Sequence, residues 1–418
     1  MSGLKKYVIV GNGTAATGCI EGIRSVDKNG SITIVSGEKH PVYCRPLISY
    51  YLQGKTDSDR IKYRSVGFYG ENGCTVIYGK RGQTLDPEKK QLVLDDGTVI
   101  DYDKICIATG SYPFVPPTEG WDTVRCKHTF LTLDDALSLE KDIAPGSRVL
   151  VVGAGLIGLK CAEGLYGRVG SITVCDLADR VLSSILDTDG SAVVSEYLEQ
   201  KGLKLLLGDA VSRFDGNKAY MKSGKTVEFD VVVTAVGVRA DMALVKDAGG
   251  NCGRGITVDD RMRTSLDGVF AAGDCTESVD VSDGKVKVMA LMPNAYMQGR
   301  CAGINMAGGD NCFDNAIPMN SIGFFGLHLM TAGSRTGSGE GGEVYEEKGK
   351  DSLKKLFIKD GRLIGFILIG QVERAGIYTD LIRKRTPLDS VDTEILKKSP
   401  GLYVFSEKTR GQKLGGVV

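Results

Sequence analysis

The chain has 418 residues, 42% of them hydrophobic, with 52 basic side chains balanced by 52 acidic ones. That length exceeds one ordinary core and suits two or three domains. Zero net charge argues against a nucleic-acid binder, and no apolar run reaches the ~20 residues needed to cross a bilayer. Met1 to Lys6 lead straight into a strand-like run, without the charged, apolar and small-residue regions of a signal peptide, so the reading is a cytoplasmic protein.

The first apolar run, Tyr7–Val10, is followed by Gly11-Asn12-Gly13-Thr14-Ala15-Ala16, a helix-like stretch to Arg24 and a second strand, Ile32–Val35. This is a βαβ unit with a glycine-rich first turn. The layout returns about 140 residues later: strand Arg148–Val152, turn Gly153-Ala154-Gly155-Leu156-Ile157-Gly158, a helix through Glu163, and strand Ile172–Cys175. Between the copies, Lys104–Ala108 is a closing strand that ends in Thr109-Gly110-Ser111, and Pro113, Pro116 and Pro117 mark a linker. Val231–Ala235, ending in Val236-Gly237, and Val269–Ala272, ending in Gly273-Asp274, are further buried strands. From Ile317 the pattern changes. Leu353–Ile358 and Leu363–Ile369 flank Asp360-Gly361, a hairpin signal, and a helix is expected over Val372–Lys384. After Pro400 the glycine- and lysine-rich tail reads as loose or as reaching towards a partner.

A dinucleotide brings its pyrophosphate close to the backbone, and glycines at a strand–helix turn admit it to the amide end of the helix. A carboxylate at the end of the second strand then accepts from the adenosine ribose hydroxyls. Glu38 has that place in the first copy and Asp176 in the second, while Ala16 stands for the third glycine of the first turn. Two such patterns, each in strand–helix context, point to two dinucleotide sites. The eleven cysteines are odd in number and scattered, without a CxxC, which argues against a disulfide framework or a zinc site. His40, His128 and His328 show no ligand-like spacing, so no metal is expected.

Gly11-x-Gly13, Ala108-Thr109-Gly110-Ser111-x-Pro113, and Thr264 followed by Val269–Asp274 together resemble the pyridine nucleotide–disulfide oxidoreductase superfamily over nearly the whole chain. The resemblance implies an α/β fold of two nested Rossmann-like dinucleotide-binding domains, for FAD and NAD(H), plus a C-terminal α+β domain. The FAD domain is expected at 1–112 and 239–316, the NAD(H) domain at 113–238, and the C-terminal domain at 317–418. FAD contacts are implied at Gly11, Gly13, Thr14, Ala15, Ala16, Glu38, Val76, Ala108, Thr109, Gly110, Gly273 and Asp274, the last on the ribityl chain. NADH contacts are implied at Gly153, Gly155, Leu156, Ile157, Gly158, Asp176 and Gly237.

Tyr43-Cys44-Arg45-Pro46-Leu47 resembles an element of NADH:rubredoxin oxidoreductases and of nitrite reductase large subunits, where the arginine matching Arg45 lies against the FAD pyrophosphate. Pro293–Arg300, with Asn294 and Ala295, resembles the helix whose N-terminal amides face the flavin pyrimidine ring. The Cys-x₄-Cys pair of the disulfide reductases is missing, and the single redox cysteine of related oxidases aligns with Pro46 rather than Cys44, so Cys44 reads as inert. Lys160 stands where relatives carry glutamate near the nicotinamide amide; it reads as turned to solvent, with Glu163 able to substitute.

The function expected is hydride transfer from NADH to FAD, with the cofactors carrying the chemistry rather than a catalytic side chain. Electrons then pass to an iron–sulfur or rubredoxin-like protein or subunit, or flow in reverse. Oligomer formation is allowed. The alternatives are an oxidase reducing oxygen or peroxide, and a non-catalytic flavoprotein serving as an assembly or sensor subunit.

Overall fold

The computed structural model describes residues 4–335 and 342–414. The chain begins with β1 (Lys6–Val10), α1 (Thr14–Val26) and β2 (Ser31–Ser36), followed by the short α2 (Ile48–Leu52), β3 (Cys74–Tyr78) and β4 (Lys104–Ile107). It leaves this layer along β5 (Ser111–Pro113) and builds a second one from β6 (Lys127–Thr129), α3 (Leu133–Asp142), β7 (Arg148–Val152), α4 (Leu156–Leu165), β8 (Ser171–Asp176), α5 (Thr188–Gln200), β9 (Lys204–Leu207) and β10 (Val231–Thr234). It returns along β11 (Val238–Ala240), antiparallel to β5, to complete the first layer with β12 (Val269–Ala271) and α6 (Met292–Met306).

Both main sheets are parallel and five-stranded, in the orders β12-β4-β1-β2-β3 and β9-β8-β7-β10-β6. Each parallel sheet is covered on both faces, by helices on one and by a three-stranded antiparallel sheet on the other, the first carrying Leu85, Leu92 and Leu94 and the second Phe214, Ala219 and Met221, which explains the unbroken apolar strands; all four residues of β10 are buried. α3 starts at a capping box in which Thr132 Oγ1 accepts from the Asp135 N–H and the Asp135 carboxylate accepts from the Thr132 N–H.

α1 and α6 pack backbone to backbone. A Cβ on Gly18 or Gly22 would lie 2.2 or 2.3 Å from the carbonyl oxygens of Tyr296 and Arg300, and one on Gly299 or Gly303 would lie 1.9 or 2.1 Å from those of Ala15 and Cys19. Glycine spaced by four on both helices gives each a bare stripe, and the stripes meet.

The C-terminal part is an antiparallel sheet of β13 (Met319–Phe324), β14 (Leu327–Gly333), β15 (Gly342–Lys348), β16 (Leu353–Lys359) and β17 (Arg362–Ile369), in the order β13-β14-β17-β16-β15. Asp360 and Gly361 both have positive φ, as a tight two-residue hairpin requires. α7 (Ala375–Arg383) starts three residues later than the sequence suggests, because Arg374 adopts a left-handed conformation at its N-cap. The tail differs from the expectation of a loose segment: Val404 and Phe405 are buried, α8 (Glu407–Leu414) follows, and Lys413 pairs with Asp380. Residues 415–418 lie outside the described residues.

One hydrophobic core runs through the second sheet, α2 and one face of the C-terminal sheet, joining Leu52, Leu159, Val194, Phe324 and Ile369. Lys355 on β16, 6% exposed, pairs with Asp187 and Asp189 at the start of α5 and with Glu346. No helix among the described residues is long and apolar enough to cross a membrane.

Candidate functional site

The two glycine turns open on one continuous cleft of about 1940 Å³, roughly twice the upper end of the ~300–1,000 Å³ usual for a small-molecule pocket. Gly11 and Gly153 have φ of 112° and 118°, and a Cβ at either would lie 2.0 or 2.3 Å from the carbonyl oxygens of Ala108 and Ala235 on the neighbouring strand. Only glycine fits there. Gly13 and Gly155, the N-caps of α1 and α4, would project a Cβ into open space, so the cleft reaches the helix backbones at these points. Each turn thus aims a helix N-terminus at the cleft, a favourable seat for a pyrophosphate.

Most of the residues singled out by sequence line this cleft: Gly11, Gly13, Thr14, Ala15, Glu38, Arg45, Pro46, Ala108, Thr109, Gly110, Gly273, Asp274 and Ala295 around the first turn, and Gly153, Gly155, Leu156, Ile157, Asp176 and Gly237 around the second. Four do not. Ala16 is fully buried in the core that α1 shares with α6. Gly158 allows α4 to close on its own turn, since a Cβ there would lie 1.9 Å from the Gly153 oxygen. Val76, on β3, packs against that same core from the sheet edge. Asn294 is buried and donates to the Ile317 oxygen at 3.1 Å, away from the cleft.

Glu38 and Arg45 form an ion pair at the cleft wall. Tyr43 donates to Glu38 at 2.6 Å and accepts the Leu133 N–H at 2.9 Å, and Arg45 also donates to the Leu131 oxygen. The guanidinium is therefore held at the start of α3 with 42% of its side chain exposed to the cleft. Asp274 faces the same space from the end of β12, and burial pushes its carboxyl up to about 6, partly countered by Arg45. The N-terminus of α6 enters nearby through Leu291, Met292 and Pro293, bringing the positive end of a helix dipole. At the second turn, the Asp176 carboxylate accepts the Ala154 N–H at 2.6 Å and the Ala178 N–H at 2.8 Å. A carboxylate has about four acceptor positions, so this grip leaves room for hydroxyl donors.

Lys160 is not turned to solvent. Its side chain is 13% exposed, lines the cleft, pairs with Glu163, donates to the Gly323 oxygen and stands 4.7 Å from the centre of the Tyr50 ring. Glu163 in turn accepts the Phe325 N–H at 2.7 Å. The pair ties α4 to the β13–β14 turn, so the charge reversal at this position is balanced within one turn of helix. Sequence reasoning missed Tyr50, His328 and Met319–Gly323 as lining residues, because they converge only once the C-terminal sheet has packed against the second layer. It also missed the meeting of His128 with Cys126 and Asp142, which lie on different elements. Cys44 is absent from the lining, and burial raises its thiol above the ordinary range.

Two helix-capped glycine turns, a carboxylate at the end of each second strand, and a cleft large enough for two extended ligands fit FAD at the first layer and NAD(H) at the second. This is the arrangement of a flavin- and nicotinamide-dependent oxidoreductase. The sequence profile of pyridine nucleotide-disulphide oxidoreductases matches residues 5–299, and that of the rubredoxin NAD+ reductase C-terminal domain matches residues 318–386. The chain belongs to the pyridine nucleotide-disulphide oxidoreductase family, and its cofactors are FAD and NAD(H).

It is 34% identical to the NADH-dependent phenylglyoxylate dehydrogenase subunit epsilon of Aromatoleum evansii, over 92% of each chain. It is 30% identical to the NADH oxidase of Methanocaldococcus jannaschii, over 87% of each chain. Among solved structures, the covalent putidaredoxin reductase–putidaredoxin complex superposes with a TM-score of 0.87 at 22% identity, covering 94% of this chain and 96% of that one, a likeness of fold.

Proposed function

We propose that this chain is the nicotinamide-linked flavin unit of an electron-transfer system, exchanging electrons with an iron–sulfur or rubredoxin-like protein or subunit in either direction, in the cytoplasm. One observation carries this reading. The single cysteine among the described residues lining the cleft, Cys175, is fully buried, and burial pushes its thiol up to about 12. The cleft therefore offers no thiolate to take electrons from a flavin, so they pass to an acceptor outside the chain. The relative named subunit epsilon supports the same division of labour.

FAD, when bound, supplies two-electron exchange with the nicotinamide and single-electron exchange with the carrier. The chain's part is placement. We assign the first turn, Glu38, Arg45, Ala108–Gly110, Gly273, Asp274 and the start of α6 to FAD, and the second turn, Asp176 and Gly237 to NAD(H). The corresponding domains are 1–112 with 239–316, 113–238, and 317–418. Lys160, Tyr50 and the β13–β14 hairpin line the same cleft.

The M. jannaschii relative favours a second reading, an oxidase. Rapid mixing separates the two. FAD-loaded protein reduced anaerobically with NADH should reoxidise at least tenfold faster with a ferredoxin or rubredoxin than with air-saturated buffer, and Cys44→Ser should leave both rates within a factor of two. Faster reoxidation by oxygen would establish the oxidase.

A further inference from the structure

Cys126, immediately before β6, and His128 within it fall on one face by strand alternation, at the edge of the second sheet. α3 ends at Asp142 beside them. His128 Nε2 lies 3.7 Å from Cys126 Sγ and 3.0 Å from Asp142 Oδ2, and one ligand atom from each side chain lies within 4.8 Å of the other two. None of the three lines the cleft.

We propose that Cys126, His128 and Asp142 form a zinc site, completed by water on the side where Asp142 is 49% exposed. Tetrahedral zinc holds sulfur at about 2.3 Å and nitrogen or oxygen at about 2.0 Å, which sets S···N edges of about 3.6 Å and N···O edges of about 3.3 Å. The two separations at His128, 3.7 and 3.0 Å, lie within about 0.3 Å of these edges, and the third, from Cys126 Sγ to the Asp142 carboxylate, is within 4.8 Å against the ~3.6 Å that bound zinc would set. Thiolate with imidazole suits zinc and disfavours magnesium and calcium. One thiolate and one carboxylate also balance the ion's charge.

Only the thiolate of cysteine binds the ion, so zinc uptake would release a proton from Cys126. The site would fasten the end of α3 to β6. The opposite end of α3 supplies the Leu133 N–H and follows the Leu131 oxygen that hold Tyr43 and Arg45, so the metal would brace the helix against which the cleft arginine is seated.

The test uses FAD-loaded protein, stripped of metal with a chelator and dialysed against Zn²⁺ under anaerobic conditions. One tight equivalent per chain is expected. Zinc-edge X-ray absorption should show one sulfur at about 2.3 Å with nitrogen and oxygen neighbours. Cys126→Ser and His128→Ala should each lower zinc affinity at least tenfold, while Cys312→Ser, at an exposed cysteine, should leave it unchanged. Zinc should also raise the melting temperature of the parent. The absence of a tight equivalent, a first shell without sulfur in the parent, or full retention by Cys126→Ser would overturn the site; the spectrum of the parent decides even if a variant fails to fold.

Discussion

Asp274 places a carboxyl deep in the molecule but facing the cleft, where burial raises its pKa from 3.8 to about 6. A folded-state pKa above the unfolded value favours the fold at low pH, and that contribution is lost as pH rises through about 6. A shift of about two units is worth up to ~3 kcal/mol, and the group's partial exposure to the cleft brings this down to about 1–3 kcal/mol. FAD-free Asp274→Asn should therefore unfold at a higher temperature than FAD-free parent at neutral pH, with the difference gone below about pH 4. The same variant should retain FAD at least tenfold more weakly, as measured by dialysis. At Asp176 the carboxylate both grips the turn and faces the nucleotide, and Arg180, the nearby cation, is paired with Asp179 at 2.7 Å. NADH should be preferred over NADPH by about tenfold to a thousandfold, the scale of one to a few charged hydrogen bonds. Asp176→Ser should shrink that ratio of kcat/KM; an unchanged ratio would remove the carboxylate from nucleotide choice.

At the scale of elements, the facing glycine stripes of α1 and α6 fix where two helix N-termini meet the cleft. Gly299→Val would place a Cβ 1.9 Å from the Ala15 oxygen, at a residue that itself lines the cleft. Overpacking of this kind costs about 1–3 kcal/mol or more. Thermal unfolding should register that loss, and FAD content should fall with it, whereas Gly376→Ala, where a Cβ meets nothing, should change neither. The βαβ units were legible because an apolar run, a glycine turn and a helix are consecutive in the chain. Asp176 ends its strand, as the sequence suggested, whereas Glu38 lies two residues beyond the end of β2. Asn294 and Val76 were misplaced because a resemblance names a neighbourhood, and the face a side chain takes follows from packing: Asn294 turns to Ile317, which the sequence keeps 23 residues away. Lys160 was misread because the groups that receive it, the Tyr50 ring and the Gly323 oxygen, come from two distant segments.

For the whole molecule, Lys355 gathers three carboxylates from two layers. Lys355→Met would leave Asp187, Asp189 and Glu346 facing one another at a partly exposed seam, so a loss of about 1–2 kcal/mol is expected, less than the ~3–5 kcal/mol of a fully buried pair. Denaturant unfolding should report it, and the loss should shrink as pH falls below the ordinary carboxylate range, because Lys355 holds the Asp189 carboxyl below its usual value and that contribution is lost once Asp189 takes a proton. The strands by which the chain leaves and rejoins the first layer, β5 and β11, are partners in one ladder, with Ser111 opposite Ala240 and Pro113 opposite Val238. In evolutionary terms the stretch between them is a cassette with both ends at one doorway: it could be exchanged for another nucleotide module without rerouting the host chain. The shared core sets the terms of such an exchange. Leu159 and Val194 of the cassette pack in one cluster with Leu52 and Phe324 of its hosts, so a transplanted module would have to bring α2 and the β13–β14 hairpin with it, or be redesigned along that face.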